Sequence, residues 1–569
     1  MNIQLKKIIS ESLDKTKYKK KFSDEITNIN KDIEVQKTIN PKHGDFFTNV
    51  AMKMAKIVKE SPMDIADQIK SCILSLKYEE IEKIETVKPG FINFYLKSIQ
   101  KNSIIQEIIK KDSTLDVFKT DNPKKIHIEF VSANPTGPLH VGHGRGLIFG
   151  NTISNLLRAQ GHKVFTEYYV NNIGKQIDIL TLSIILIMLK KEVHYNLAKQ
   201  DMYQGTYLVD IASTLDTKFL NEIKLHEPGL DECKSLDEYL VKIKSFGGLF
   251  NELKENIINI IIEKYIKNDL DTLNVSFSNW FFESELIKNN YVYAVLDDLK
   301  NKQLSYIKDE AVWFKSSKYG DEKDRVLVRA NGALTYFATD IAYHINKLEE
   351  YDHVINVWGA DHHGYVPRLT NALKALGYDT EKLSIYLIQF ANLYRGDEKI
   401  SMSTRKGEFI TLKSLIDEIG TDAINYFYID KKRDQHLDFN INTALSKDKD
   451  NPVYYIQYAH ARIKKILYKI DNIKKHKFNP KSINNKKEQD LIKILNSYGE
   501  IYKNSAASLQ PQLITNYLFK LSQSFHSYYA STKIIDNNIN YNRIYLLLAI
   551  QKILKDGLNL MNIKAPEDM

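Results

Sequence analysis

Apolar residues recur at helical spacing over residues 5–13 and again over 50–58, where Ala51, Met52, Met54 and Ala55 form a stripe. Residues 88–96 (Lys-Pro-Gly-Phe-Ile-Asn-Phe-Tyr-Leu) change to a period of two. A turn there enters a strand with Phe91, Asn93 and Tyr95 on one face and Ile92, Phe94 and Leu96 on the other. The polar stretch 112–125 reads as a linker. From Lys125 onward strand and helix patterns alternate: strand 126–131, an Asn-Pro-Gly turn, helix 141–160 and strand 163–170. A second series begins with strand 325–329 and continues through helix 336–348, strand 353–358, a helix after Gly364 and strand 383–390. Such alternation predicts an α/β fold with a doubly wound parallel sheet. Residues 171–317, mostly helical in pattern, separate the two series as an insertion. Its most apolar run, 179–189, is too short to cross a bilayer and carries Thr181 and Ser183, so it predicts a buried helix. From Asn451 to the end the pattern is helical, interrupted by a Lys- and Asn-rich loop at 474–487.

Composition narrows the class. A chain of 569 residues with 43% hydrophobic and 27% charged residues has the makeup of a soluble protein of several domains. Lys and Arg exceed Asp and Glu by 80 to 71, a formal charge of +9, which fits a local basic surface for nucleic acid. Two distant cysteines, Cys72 and Cys233, exclude a disulfide framework and a cysteine-based zinc site, and make a reducing cytoplasm the expected compartment. The start, Met-Asn-Ile-Gln-Leu-Lys-Lys, lacks the apolar core of a signal peptide.

Three stretches carry chemistry. Between Glu129 and Gly146 runs Glu-Phe-Val-Ser-Ala-Asn-Pro-Thr-Gly-Pro-Leu-His-Val-Gly-His-Gly-Arg-Gly. His140 and His143 share one face of a starting helix, whose outward N–H groups and partial positive charge suit a phosphate. A dinucleotide fingerprint is excluded, because its third glycine would fall on Leu147 or Phe149, and the chain has no P-loop. The second stretch, Glu398-Lys-Ile-Ser-Met-Ser-Thr-Arg-Lys-Gly407, is a basic loop able to close over a triphosphate. In the third, Tyr336-Phe-Ala-Thr-Asp340, spacing i, i+4 sets a ring and a carboxylate side by side. That pair can hold a guanidinium by two parallel hydrogen bonds and a stacked face, and lysine matches neither.

The first stretch resembles the HIGH signature of class I aminoacyl-tRNA synthetases in its arginyl-tRNA synthetase form, and the basic loop resembles the KMSKS signature of that class. Residues 41–52 and 88–94 are similar to the family's N-terminal additional domain, 451–462 to the opening of its anticodon-binding domain, and 557–569 to its terminus. The resemblance implies four regions. They are an α+β N-terminal tRNA-binding domain (1–112), a Rossmann-like catalytic domain (113–412) carrying the insertion, a connecting stem (413–450) and an all-α anticodon-binding domain (451–569). It implies an enzyme that activates L-arginine with ATP, supplied with Mg²⁺, and charges the terminal adenosine of tRNA-Arg. No zinc, no membrane association and a monomeric state are expected. His140 and His143 would stabilise the α-phosphate transition state, and Ser403, Arg405 and Lys406 the departing pyrophosphate. Ser401 and Thr404 stand where the signature has lysines. ATP would also meet Pro135, Thr136, Gly137, Pro138, Leu139, Gly142, Gly359, Asp361 and Met402. Arginine would meet Tyr336 and Asp340, with Ser132 and Asn134 at its head group, Glu129 lining the pocket, and His362 where many relatives carry glutamine. For tRNA the candidates are Phe91 stacking on a base, Asn93 bonding its edge, Tyr455, Tyr458 and Arg462 along one helix face, and Met569. Two other readings compete: a glutamyl or cysteinyl enzyme of the same class, and a relative that binds tRNA without catalysis.

Overall fold

The structure, a computed structural model, describes residues 2–19, 23–38, 43–78, 80–97, 101–190, 202–400, 410–483, 485–535 and 539–569. The chain divides into two units, one of Met1–Asp112, Ile466–Ser497 and Ser524–Ile550, the other of Ser113–Lys465, Tyr498–Gln523 and Gln551–Met569. The C-terminal helices contribute to both.

In the first unit the strands Val35–Lys37, Phe46–Thr48, Phe91–Leu96 and Ile81–Val87 lie in that order as an antiparallel sheet. The apolar stripe of helix Val50–Val58 joins Leu5, Ile9, Ile69, Ile92 and Phe94 in its core. Phe91–Leu96 is an inner strand, flanked on both sides. Its faces alternate as expected, with Ile92, Phe94 and Leu96 in the core, but on the other face Asn93 is buried at 4% exposure while Phe91 stays partly exposed and meets Phe47 edge to face at 5.5 Å.

The second unit is built on a five-stranded parallel sheet in the order Leu383–Ile388, His353–Gly359, Lys125–Glu129, Lys163–Val170, Asn279–Phe282. Read in chain order, strand succession reverses between Lys125–Glu129 and His353–Gly359, and a crevice opens at the carboxyl ends of such a pair. Three expectations change here. The strand Arg325–Val328 does not open the second half of this sheet, but pairs with Ala311–Phe314 in a separate antiparallel sheet completed by Ser305–Lys308. The insertion is not all helix: between the helix ending at Thr272 and the one starting at Glu283, its Asn279–Phe282 becomes an edge strand of the parallel sheet. Four residues without periodicity gave no sign of that pairing. The supposed linker holds a 3-10 turn, Thr114–Phe118, in which the Thr114 N–H and hydroxyl both donate to Asp556 at 2.7 Å while Phe118 is buried. The apolar run at 179–189 falls largely in the buried helix Lys175–Met188.

Candidate active site

A cavity of about 760 Å³ opens where the strand order reverses. Its walls come from the turn after Lys125–Glu129 (Val131, Ser132, Asn134), the ends of neighbouring strands (Tyr169, Trp358, Gly359, Ile388) and the starts of two helices (His140, His143; Tyr336, Asp340). Asp361, His362 and Gly142 also line it. One crevice thus gathers the predicted phosphate histidines, the Tyr336–Asp340 pair and the head-group residues.

His140 is the N-cap of helix Val141–Ala159, with His143 in its first turn. The two rings stack with centroids 3.7 Å apart. The His140 N–H donates to His143 Nδ1 at 3.2 Å, and the Gly142 N–H donates to His140 Nδ1 at 3.1 Å. Burial holds both imidazoles below their ordinary range, and burial plus its neighbour takes His143 down to about 3, so both rings are neutral at pH 7. With Nδ1 accepting in each, the proton sits on Nε2, which makes each ring a neutral hydrogen-bond donor. The helix start itself differs from expectation. Its first N–H groups are occupied, Val141 by the Ile410 carbonyl at 3.2 Å and His143 by the His140 carbonyl at 2.9 Å. The imidazoles, not the backbone, are what the helix start offers an anion. Glycines allow this packing: a Cβ on Gly142 would lie 2.8 Å from the His140 ring, and one on Gly144 2.7 Å from the ring of Tyr428.

Asp340 accepts a hydrogen bond from the Tyr365 hydroxyl at 2.5 Å. Burial, with Glu129 nearby, raises its carboxyl from the usual 3.8 to about 7. A second carboxylate, Glu283, lines the same cavity at 2% exposure. It accepts from the Thr339 hydroxyl at 3.1 Å and, with the Asn171 amide nitrogen turned toward it, from Asn171 at 2.8 Å. Burial, with Asp340 adding to it, raises Glu283 to about 7 as well. Neither carboxylate forms an ion pair with a described residue, so the wall carries two acids that a cation from outside would hold in the ionised form. Tyr336, 55% exposed, stands beside them, and its hydroxyl lies 2.9 Å from where a Cβ on residue 174 would be, which Gly174 leaves clear. Glu283 was missed because it directly follows the unrecognised strand Asn279–Phe282, and Tyr365, three residues beyond His362, carries no spacing that marks it.

The remaining predicted residues divide between the lining and positions behind or away from it. Glu129 does not line the cavity: buried, it accepts from Ser132 Oγ at 3.0 Å and pairs with Lys347 at 2.8 Å, so it acts from behind the wall. Asn134 is exposed and donates to Gln176 at 2.7 Å. Pro135, Thr136, Gly137, Pro138 and Leu139 are not among the lining residues. Pro135 and Leu139 are buried, the Thr136 carbonyl accepts from Tyr207 at 2.9 Å, and Gly137 faces the Tyr207 ring, so this turn packs against the insertion. A Cβ on Gly359 would lie 2.4 Å from the Asp361 carboxylate. His362 lies 3.7 Å from Asp361. Met402, Ser403, Arg405 and Lys406 lie outside the described residues. In the helix Pro452–Leu467 the Arg462 guanidinium sits 4.3 Å from the centroid of the Tyr458 ring, Tyr455 packs on Phe519 at 5.8 Å, and Met569 is 41% exposed.

Three family descriptions match the chain: "tRNA synthetases class I (R), catalytic domain" over residues 104–478, "DALR anticodon binding domain" over 456–569 and "Arginyl tRNA synthetase N terminal domain" over 4–96. An arginine–tRNA ligase of Coxiella burnetii is 39% identical over all of both chains, and one of Legionella pneumophila is 38% identical over 95% of each. The structure of Thermus thermophilus arginyl-tRNA synthetase shares the fold with a TM-score of 0.72 at 20% identity, covering 100% of both chains. The likeness extends over both the catalytic and the tRNA-binding segments, and the chain belongs to the arginyl-tRNA synthetase family of class I.

Proposed function

We propose that this cavity performs the family's reaction: L-arginine and ATP give arginyl-adenylate and pyrophosphate, and the arginyl group then passes to the terminal adenosine of tRNA-Arg. The observation that carries the reading is the pair of carboxylates, half-buried Asp340 and buried Glu283, both displaced to about 7 and both lining the crevice that holds His140 and His143. A guanidinium keeps its charge at any ordinary pH and has donors enough for two carboxylates, while its flat face can lie on the Tyr336 ring. An ammonium is a point charge and cannot satisfy both. A neutral side chain gives the two acids no counter-charge and leaves their hydrogen-bonding groups unmatched, which disfavours it.

ATP enters as its Mg²⁺ complex, as substrate. The Nε2 protons of His140 and His143 donate to phosphate oxygens without adding net charge, and the effect grows as negative charge develops in the transition state. Ser403, Arg405 and Lys406 would meet the departing pyrophosphate. Ser132 and Asn134 would take the amino-acid head group, His362 would also meet arginine, and Gly359 and Asp361 would border the nucleotide. Phe91, Tyr455, Tyr458, Arg462 and Met569 remain the tRNA candidates. Asn93, being buried, is reassigned to the sheet interior. The protein would act as a monomer in the cytoplasm.

Steady-state charging of tRNA-Arg checks the reading. Asp340→Asn and Glu283→Gln should each raise the KM for arginine by about tenfold or more with little change in the KM for ATP, as expected when a ground-state contact to one substrate is removed. Unchanged arginine KM values in both variants would refute it.

A further inference from the structure

Just past the strand Lys125–Glu129, Val131 and Ser132 have φ of +68° and +42°. Left-handed backbone is costly for residues other than glycine, most of all for a β-branched one, and it persists only where the surroundings hold it. The hold here is polar and continuous. Ser132 Oγ donates to Glu129 Oε1 at 3.0 Å and accepts from the Tyr169 N–H at 3.2 Å. The other Glu129 oxygen accepts from Lys347 Nζ at 2.8 Å, and Lys347 also donates to Asn356 Oδ1 at 3.1 Å. The Asn356 amide nitrogen faces His344 Nε2 at 2.6 Å, and His344 Nδ1 faces the Asp340 carbonyl at 2.7 Å. The lysine fixes every orientation in this chain. Because Asn356 Oδ1 accepts from it, the amide nitrogen must donate to His344, whose proton then sits on Nδ1 and donates to Asp340. Glu129, Lys347, Asn356 and His344 are each at most 5% exposed.

We infer that Lys347 is a positioning residue. Its buried ammonium neutralises Glu129 and braces the strained Val131–Ser132 turn against the helix that carries Asp340, which sets the spacing between the two ends of the amino-acid cavity. The inference rests on the reading of that cavity as the arginine seat. Without the ammonium, a buried carboxylate loses its counter-ion and Ser132 loses a fixed acceptor. Nothing in this chain of bonds reaches His140 or His143, so the arginine end should suffer and the ATP end should not. Lys347 also borders a second cavity of about 650 Å³, shared with Glu167 and Tyr343, through which a small amine could reach the place of a truncated side chain.

The test compares arginine-dependent and ATP-dependent kinetics in Lys347→Met, Lys347→Ala and the double variant Glu129→Gln/Lys347→Met, with thermal melting of each. The double variant buries no charge and tests the brace if Lys347→Met does not fold. Expected is a rise of about tenfold or more in the KM for arginine, an ATP KM changed by less than about twofold, and a double variant that melts near the wild type yet keeps the raised arginine KM. Ethylammonium chloride, but not an equal concentration of sodium chloride, should lower the arginine KM of Lys347→Ala. A wild-type arginine KM in the double variant, or arginine and ATP KM values rising in equal proportion, would overturn the inference. Asp340→Asn in the same assay separates the two claims: if it raises the arginine KM while the Lys347 variants do not, the cavity assignment stands and the brace falls.

Discussion

Asp340 and Glu283 are carboxylic acids whose folded environment favours the protonated form, because burial removes the water that would solvate two anions. Their folded values of about 7 lie above the ordinary carboxylate range, so between roughly pH 4 and 7 the folded protein holds protons that the unfolded chain has shed. Their contribution to stability therefore declines as pH rises through that window. A bound guanidinium reverses this by restoring the counter-charge, and it binds best once both groups have ionised. The stabilisation produced by saturating arginine should accordingly be larger at about pH 8 than at about pH 6. Differential scanning fluorimetry with and without arginine reads this directly. A shift that is independent of pH, or larger at the acid end, would contradict the role given to the pair. At the same scale, sequence showed Tyr336 and Asp340 through their helical spacing, but not Glu283. That glutamate becomes part of the site only because Asn279–Phe282 joins the sheet edge, where Phe281 pairs with Tyr169 of the cavity wall.

Among elements, the helix Val141–Ala159 does most to define the site, and its glycines divide by what surrounds them. A Cβ on Gly150 would lie 2.3 Å from the Phe130 ring, whereas one on Gly146 would meet nothing within 4 Å. Gly150→Ala should thus destabilise the protein by about 1–3 kcal/mol through overpacking. Gly146→Ala should be neutral or stabilising by up to about 1 kcal/mol, since alanine is the better helix former. Chemical denaturation of the two variants decides it, and equal effects would mean that helix propensity outweighs packing. The same helix carries Arg145, at 2% exposure, whose guanidinium donates to the carbonyls of Gln389, Gln435 and Lys432 at 2.7–2.8 Å. Burial lowers its pKa to about 10, so it remains charged and ties the histidine helix to the chain leaving the strand Leu383–Ile388. Nothing in the sequence around Arg145 marks it as an interior residue.

For the whole molecule, segments far apart in sequence meet inside one unit. The C-terminal tail returns to the helix Pro452–Leu467: the Lys564 carbonyl accepts from Gln457 at 2.9 Å, the Pro566 carbonyl faces His460 Nδ1 at 2.7 Å, and Glu567 pairs with Lys464 at 2.7 Å. Deleting residues 566–569 leaves His460, 1% exposed, without that partner and removes Met569 from the helix that carries Tyr458 and Arg462. The melting temperature should fall by a few degrees, consistent with about 1–2 kcal/mol for a lost buried hydrogen bond. The KM for tRNA-Arg should rise while those for arginine and ATP stay near wild type. A truncation that leaves the tRNA KM unchanged would remove the terminus from the list of tRNA contacts.

What the sequence determined by itself was local. Helix periodicity at 50–58 and strand 163–170 appear at the same bounds in the structure, and the two histidines with the Tyr336–Asp340 pair were legible because short spacings fix which side chains are neighbours. Tertiary structure alone decided the long-range pairings: Asn279–Phe282 entering the parallel sheet, Arg325–Val328 leaving it, Asn93 being buried on an inner strand, and Glu129 being claimed by Lys347. Periodicity records which face of an element is apolar, but strand partners and the partners of buried charges are chosen by packing between distant segments, which no local pattern encodes.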